Sequence, residues 1–126
     1  MHLYRICEAE VWAQAQTEGA LPLSELDRRD GYVHLSTAAQ VPGTLHRFFA
    51  GRDDLVVLTI SRAALDGAAL RFEAPSHAPH EHAELFPHFY GRVTLGAITR
   101  AEALTLGEGG HHRLPDELAR AIAAQP

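Results

Sequence analysis

The chain has 126 residues, 46% hydrophobic and 21% charged, with a net charge of −5, which is the composition of one ordinary globular domain with its own core and excludes disordered and fibrous classes. Apolar runs stay well short of the roughly 18 residues that a membrane-spanning helix needs, the N-terminal residues lack the charged-then-apolar layout of a signal peptide, and Cys7 is the single cysteine, so a cytoplasmic location without membrane, disulfide or thiolate zinc cluster is expected. The acidic balance argues against long nucleic acid as a partner and leaves a small phosphorylated ligand open, while the absence of lysine removes Schiff-base chemistry.

Taken in order, the pattern predicts an α+β chain without internal repeats. Leu3 to Cys7 reads as a first strand and Glu8 to Gln16 as a helix, acidic in its first turn, with Gly19 beyond its end. Trp12 and Ala15 give that helix an apolar face. Asp27 to Asp30 reads as a charged turn leading through Gly31 into a short strand at Val33 to Leu35. Thr37 opens a helix with a T-x-x-Q capping box to Gln40. Val41, Leu45, Phe48 and Phe49 form its buried stripe, and Pro42 predicts a separate capped turn before the helix restarts; Gly51 closes it. Leu55 to Leu58 is continuously apolar, as expected of a central strand buried on both faces.

Ser61 to Gly67 follows as one helical turn, and Leu70 to Glu73 as an alternating strand that sets Arg71 and Glu73 opposite Leu70 and Phe72. Further strands are predicted around Arg92 to Leu95 and Ala97 to Leu104, Gly107 to Gly110 as a mobile connection, and a closing amphipathic helix over about 115–124 on Leu114, Leu118 and Ile122. The core spans about 3–104.

Three segments carry candidate chemistry. His34 alternates with Val33 and Leu35 and stands beside a helix N-terminus opened by Ser36 and Thr37, a setting suited to an anionic or hydroxyl-rich ligand. Phe86-Pro87-His88-Phe89-Tyr90-Gly91 combines aromatic bulk with a fixed proline and a permissive glycine. Phe86 and Phe89 are expected to be buried, and His88 and Tyr90 to offer an imidazole and a phenol to a cleft. His77, His80 and His82 are metal-type ligands at loose spacing, and Pro79 prevents the helix that would align them.

Gly31-Tyr32-Val33-His34-Leu35-Ser36-Thr37, Gln40-Val41-Pro42, Phe48 to Gly51, Asp54 to Leu58, Leu70 to Glu73 and Phe86 to Gly91 together resemble the bacterial domain-of-unknown-function 952 family, from about Leu3 to Leu104. The His34-Leu35-Ser36 element is in turn similar to the first motif of ADP-ribosyltransferases and RNA 2′-phosphotransferases. That second resemblance implies a split antiparallel or mixed sheet with flanking helices that clamps NAD or an ADP-ribose group. It casts His34 as the histidine on a ribose hydroxyl, Ser36 or Thr37 as the hydroxyl beside it, and Tyr90 as a stacking surface for nicotinamide or adenine.

A glutamate that stabilises a cationic transition state is also implied, with Glu73 and Glu102 as candidates. Neither sits in an E-x-E or Q-x-E pair, which argues against transfer to a protein acceptor. Arg71 and His88 could instead neutralise a phosphate.

The expectation is therefore an NAD- or ADP-ribose-dependent transferase or hydrolase working at one cleft. His34, Glu73 and His88 are its catalytic candidates, and Ser36, Thr37, Arg71, Tyr90 and Gly91 its ligand-binding candidates. Two alternatives stand beside it: a nucleotide or metabolite binder without chemistry, and a metal-dependent hydrolase on the His77/His80/His82 loop.

Overall fold

Two three-stranded antiparallel sheets meet along a single seam in the computed structural model, which describes residues 2–75 and 84–124. The elements in chain order are β1 (His2–Glu8), α1 (Ala9–Glu18), α2 (Glu25–Asp30), β2 (Val33–His34), α3 (Val41–Phe48), β3 (Leu55–Ser61), β4 (Leu70–Glu73), β5 (Phe86–Phe89), β6 (Ile98–Ala103), β7 (Thr105–Leu106), β8 (His112–Arg113) and α4 (Asp116–Ala123). The first sheet runs β1-β3-β6 and the second β2-β5-β4, with β7 and β8 as a separate hairpin. Among the described residues no helix is long and apolar enough to cross a membrane.

β3 is the central strand that its uninterrupted apolar run predicts. It pairs with β1 along its whole length, and its residues divide between two cores because successive side chains point to opposite faces. Leu3, Cys7, Val56, Leu58 and Ile60 pack on one side with Val33, Phe89 and the α1 residues Val11 and Trp12. Tyr4, Ile6, Leu55 and Val57 pack on the other against Val41, Leu45 and Leu118 from α3 and α4.

The capping chemistry explains the helix boundaries. Gly19 ends α1 and Gly31 ends α2 in the left-handed conformation, at φ 84° and 85°. Thr37 and Gln40 form the expected capping box, the Thr37 N–H donating to Gln40 Oε1 at 3.0 Å. A single 3₁₀ turn at Ala38–Gln40 then gives way to α3, with Pro42 in its first turn.

Four local expectations are corrected. Asp27 to Asp30 is helical, forming the last four residues of the six-residue α2, because Ser24 and Asp27 cap it reciprocally. Arg92 to Leu95 forms no strand; Thr94 only bridges Ala20, and a 3₁₀ turn follows at Leu95–Ala97. Gly107 to Gly110 is the tight end of the β7–β8 hairpin, closed by Gly107 N–H to the His111 carbonyl at 2.7 Å and pegged by His112 Nε2 donating to the Arg52 carbonyl at 2.6 Å. Phe86 shares a side of β5 with His88, leaving Pro87 and Phe89 toward the buried face, since residues three apart on a strand cannot share a side. The His77/His80/His82 loop lies outside the described residues.

The packing predicts that Leu58→Ala, at a side chain with no solvent exposure, lowers unfolding free energy by about 2–5 kcal/mol. Urea denaturation followed by circular dichroism measures this directly.

Candidate functional site

The seam between the sheets is made by one backbone bridge. Tyr4 N–H donates to the Ser36 carbonyl at 2.8 Å and Ser36 N–H returns a bond to Tyr4 at 2.9 Å. One step back along the chain, His34 faces His88 across the β2–β5 pair, while Leu35 N–H donates to the Pro87 carbonyl at 3.1 Å. In an antiparallel pair, backbone groups alternate between pointing to the partner strand and away from it. Those of His34 therefore point toward β1, and side chains satisfy both: its carbonyl accepts from Arg5 Nη1 at 2.9 Å and its N–H donates to Asp27 Oδ1 at 3.1 Å. Where a further backbone rung would continue the pairing toward one sheet, a guanidinium and a carboxylate stand instead.

Asp27 is fully engaged. Its carboxylate accepts from Arg5 Nη1 and Nη2 (3.1 and 2.8 Å), from Ser24 N–H (3.0 Å), and from His34 N–H and Nδ1 (3.1 and 2.6 Å). Burial alone would raise its pKa, but the His34 hydrogen bond and the Arg5 charge outweigh burial and hold it far below the usual carboxylate range.

Asp30 takes the other ring nitrogen of His34, with Nε2 at 2.9 Å from Oδ2. The hydrogen bond from Arg29 is the main reason its pKa is lowered. Each ring nitrogen of His34 therefore lies within hydrogen-bond distance of a carboxylate oxygen.

The second sheet carries the rest of the cluster. Register sets His34, His88 and Arg71 in one row across β2, β5 and β4. The Tyr32 ring stacks on His88 at 3.8 Å between centroids and lies 4.6 Å from His34 and 5.4 Å from Tyr90. Glu73 Oε1 accepts from the Tyr90 hydroxyl at 2.7 Å and pairs with His88 Nδ1 at 3.0 Å. The Tyr90 bond is the main cause lowering the Glu73 pKa, and the same bond raises that of Tyr90.

Burial pushes the His88 imidazole down, against the pull of Glu73. Nδ1–H is therefore committed to the carboxylate, and Nε2 of this 2%-exposed residue has no hydrogen bond among the described residues.

A cleft of about 440 Å³ opens beside the seam, with His34, Ser36, Thr44, Arg47, Phe86 and His88 in its wall. Cys7 also lines it, but burial pushes that thiol up to about 11, so no thiolate nucleophile is available. Tyr90 and Gly91 border a neighbouring depression of about 400 Å³ that Tyr32 also lines. Asp27 and Arg28 line both.

The expected site residues thus divide. His34, Ser36 and His88 share the main cleft, and Glu73 reaches it through His88. Tyr90 joins the same cluster through Glu73 and Tyr32 while facing the second depression. Besides Tyr90, Thr37, Arg71 and Gly91 also lie outside the wall of the main cleft. Thr37 caps the 3₁₀ turn. Arg71 is exposed with its guanidinium carbon 5.0 Å from the Tyr90 ring centroid. At Gly91 a Cβ would lie 2.9 Å from the Phe89 ring, so glycine is needed there for close packing.

Glu102 sits on β6 in the other sheet, paired to Arg100 at 3.1 Å. Among the described residues no three His, Cys, Asp or Glu side chains gather as a metal site.

Arg5, Asp27, Asp30 and Tyr32 are the members that sequence reasoning missed. An arginine in the middle of the apolar run Leu3 to Cys7 and the S-x-x-D spacing of Ser24 and Asp27 were the available signals.

Comparison with known proteins gives a family and a fold. The family described as "Protein of unknown function (DUF952)" matches residues 6–101. The crystal structure of protein CC0527 from Caulobacter crescentus is 31% identical and superposes with a TM-score of 0.81, covering 94% of this chain and 99% of that one. Its solution NMR structure gives 31% identity and a TM-score of 0.79 over 94% and 97% of the two chains. No curated protein matches.

Removing the shared carboxylate isolates its contribution. Asp27→Ala leaves Arg5 buried without a counter-charge and is expected to cost about 3–5 kcal/mol. Because the folded pKa of Asp27 lies below the ordinary 3.8, its contribution is complete above that value and is lost as pH falls through the folded pKa. The difference in urea midpoint between wild type and variant should hold at neutral pH and shrink below about pH 4.

Proposed function

The chain belongs to the DUF952 family, and from the geometry of its cleft we propose that it binds NAD or ADP-ribose and acts as a transferase or hydrolase at the nicotinamide-bearing ribose, on a fold of the ADP-ribosyltransferase type. The observation that carries this reading is the Glu73–His88 pair, which presents an uncharged, carboxylate-oriented imidazole with Nε2 unpartnered in the wall of a cleft that also holds His34 and Ser36. A cleft of about 440 Å³ is within the range of small-molecule and cofactor sites.

In this reaction His34 and Ser36 hold the ribose hydroxyls, the ligand exchanging for the His34–Asp30 contact. The C–N glycosidic bond breaks with its electron pair leaving on nicotinamide, and the sugar develops oxocarbenium character. Water or an acceptor hydroxyl forms the new C–O bond and gives its proton to His88 Nε2. Glu73 is the positioning residue: it fixes the His88 tautomer and stabilises the imidazolium as it forms. Tyr90 in turn fixes Glu73.

A second reading, ligand binding without turnover, is favoured by one observation. Both ring nitrogens of His34 are already tied to carboxylates, which makes that side chain part of a fixed wall.

Calorimetric titration of NAD and ADP-ribose, with nicotinamide release followed on the same samples, separates the two. Saturable binding with release, both lost in His34→Ala, is the expected result. Binding without release establishes the second reading, and binding of neither ligand overturns the proposal.

His88→Ala is expected to lower turnover by about 10²–10⁴-fold with ADP-ribose binding largely retained. Wild-type turnover should fall as pH drops through the His88 pKa, below the ordinary 6.5. Glu73→Gln removes the interaction that raises this pKa, so the acid limb should move to lower pH with a reduced plateau.

A further inference from the structure

The charge of the cleft differs in sign from that of the chain. Its two acidic lining residues are already paired, Asp27 with Arg5 at 2.8 Å and Glu8 with Arg52 at 3.3 Å. Two further arginines line the same cleft: Arg28 in the last turn of α2 and Arg47 in the last turn of α3. Neither has an ion pair or side-chain hydrogen bond among the described residues. In a chain with 16 acidic side chains and a net charge of −5, two arginines in one concavity without carboxylate partners among the described residues make a local positive field that the overall composition conceals.

The placement of Arg47 adds a second observation. Its guanidinium carbon lies 5.7 Å from the Phe48 ring centroid and 6.0 Å from that of Phe86, both cleft-lining residues. The cation is therefore held against the apolar wall. Phe48 is 53% exposed and Leu23 43% exposed, and both border the cleft. Apolar surface open to solvent and unpaired guanidinium thus occur together, a combination that suits a ligand with a planar organic body and an anionic link.

We propose that Arg28 and Arg47 form the anion-recognition element of this cleft, binding the pyrophosphate of a dinucleotide-type ligand while the Phe48 and Phe86 rings receive an adjoining base. The inference rests on the reading of the cleft as a nucleotide site and assigns phosphate recognition to residues other than Arg71. Guanidinium forks match phosphate oxygens in pairs, and no bond is made or broken by them.

The test is equilibrium binding of ADP-ribose, adenosine and inorganic pyrophosphate to wild type, Arg28→Ala, Arg47→Ala and the double variant, at low and high salt, with folding checked by circular dichroism. The expected result is that ADP-ribose binds more tightly than adenosine. Each single variant should weaken ADP-ribose about tenfold or more, Arg28→Ala should leave adenosine unchanged, and salt should weaken ADP-ribose in wild type more than in the double variant. Equal ADP-ribose affinity in wild type and double variant overturns the assignment and leaves the nucleotide reading intact. Arginine-dependent binding of pyrophosphate with no binding of either nucleotide ligand supports the anion site and sinks the NAD reading. Binding of none of the three overturns both.

Discussion

The Asp27 carboxylate is the constraint on which the site depends. Five donors converge on its two oxygens, from β1, from the start of α2 and from β2. Through them one buried charge fixes where the first sheet stops and the second begins. Backbone pairing across the seam holds at Tyr4 and Ser36, and at His34 it is replaced by Arg5 and Asp27. A sheet that continued at that point would have filled the space with strand ladder. The substitution of side chains for backbone leaves a concavity instead, and the His34 ring is delivered to its edge.

Such a substitution is costly unless complete, because taking a guanidinium and a carboxylate out of water costs several kcal/mol per ion before pairing repays it. Here pairing is nearly complete. Arg5 places both terminal nitrogens on acceptors, and only its Nε is left buried without a partner. The network contributes definition of geometry more than net stability. His34 cannot rotate without breaking bonds to two carboxylates, and Tyr32 packs against both His34 and His88, 4.6 and 3.8 Å between ring centroids. His88 then differs from His34: one nitrogen is committed to Glu73 and the other has no hydrogen bond among the described residues. Two histidines facing each other across one strand pair thus receive different surroundings.

The family match and the likeness to protein CC0527 from Caulobacter crescentus place this arrangement in a shared fold, so the seam and its charge network can be sought in relatives as a unit. Arg28 illustrates how closely the parts are coupled. It lies one residue beyond Asp27 on the same six-residue helix, so the cap that orients the buried carboxylate also sets the position of an arginine lining both concavities.

Much of the architecture was legible in the chain itself, because local rules govern it. The unbroken apolar run at Leu55 to Leu58 could only be a strand covered on both faces. Gly19 could only end a helix cheaply. Thr37, Gln40 and Pro42 together specified a capped turn followed by a new helix. His34 and His88 were legible as site candidates because each alternates with apolar neighbours. Other features depend on where distant segments meet. The apolar run around Arg5 marks it as unusual, but its counter-charge, Asp27, lies 22 residues away. Thr37 and Ser36 are adjacent in sequence, yet only Ser36 lines the cleft, because backbone direction changes at the cap. The sequence by itself determined the elements and which residues could do chemistry, since propensity, capping and periodicity act over a few residues. The tertiary structure alone decided which of them share a cleft, which carboxylate orients which imidazole, and which arginines line the cleft, since those are outcomes of strand register and long-range burial.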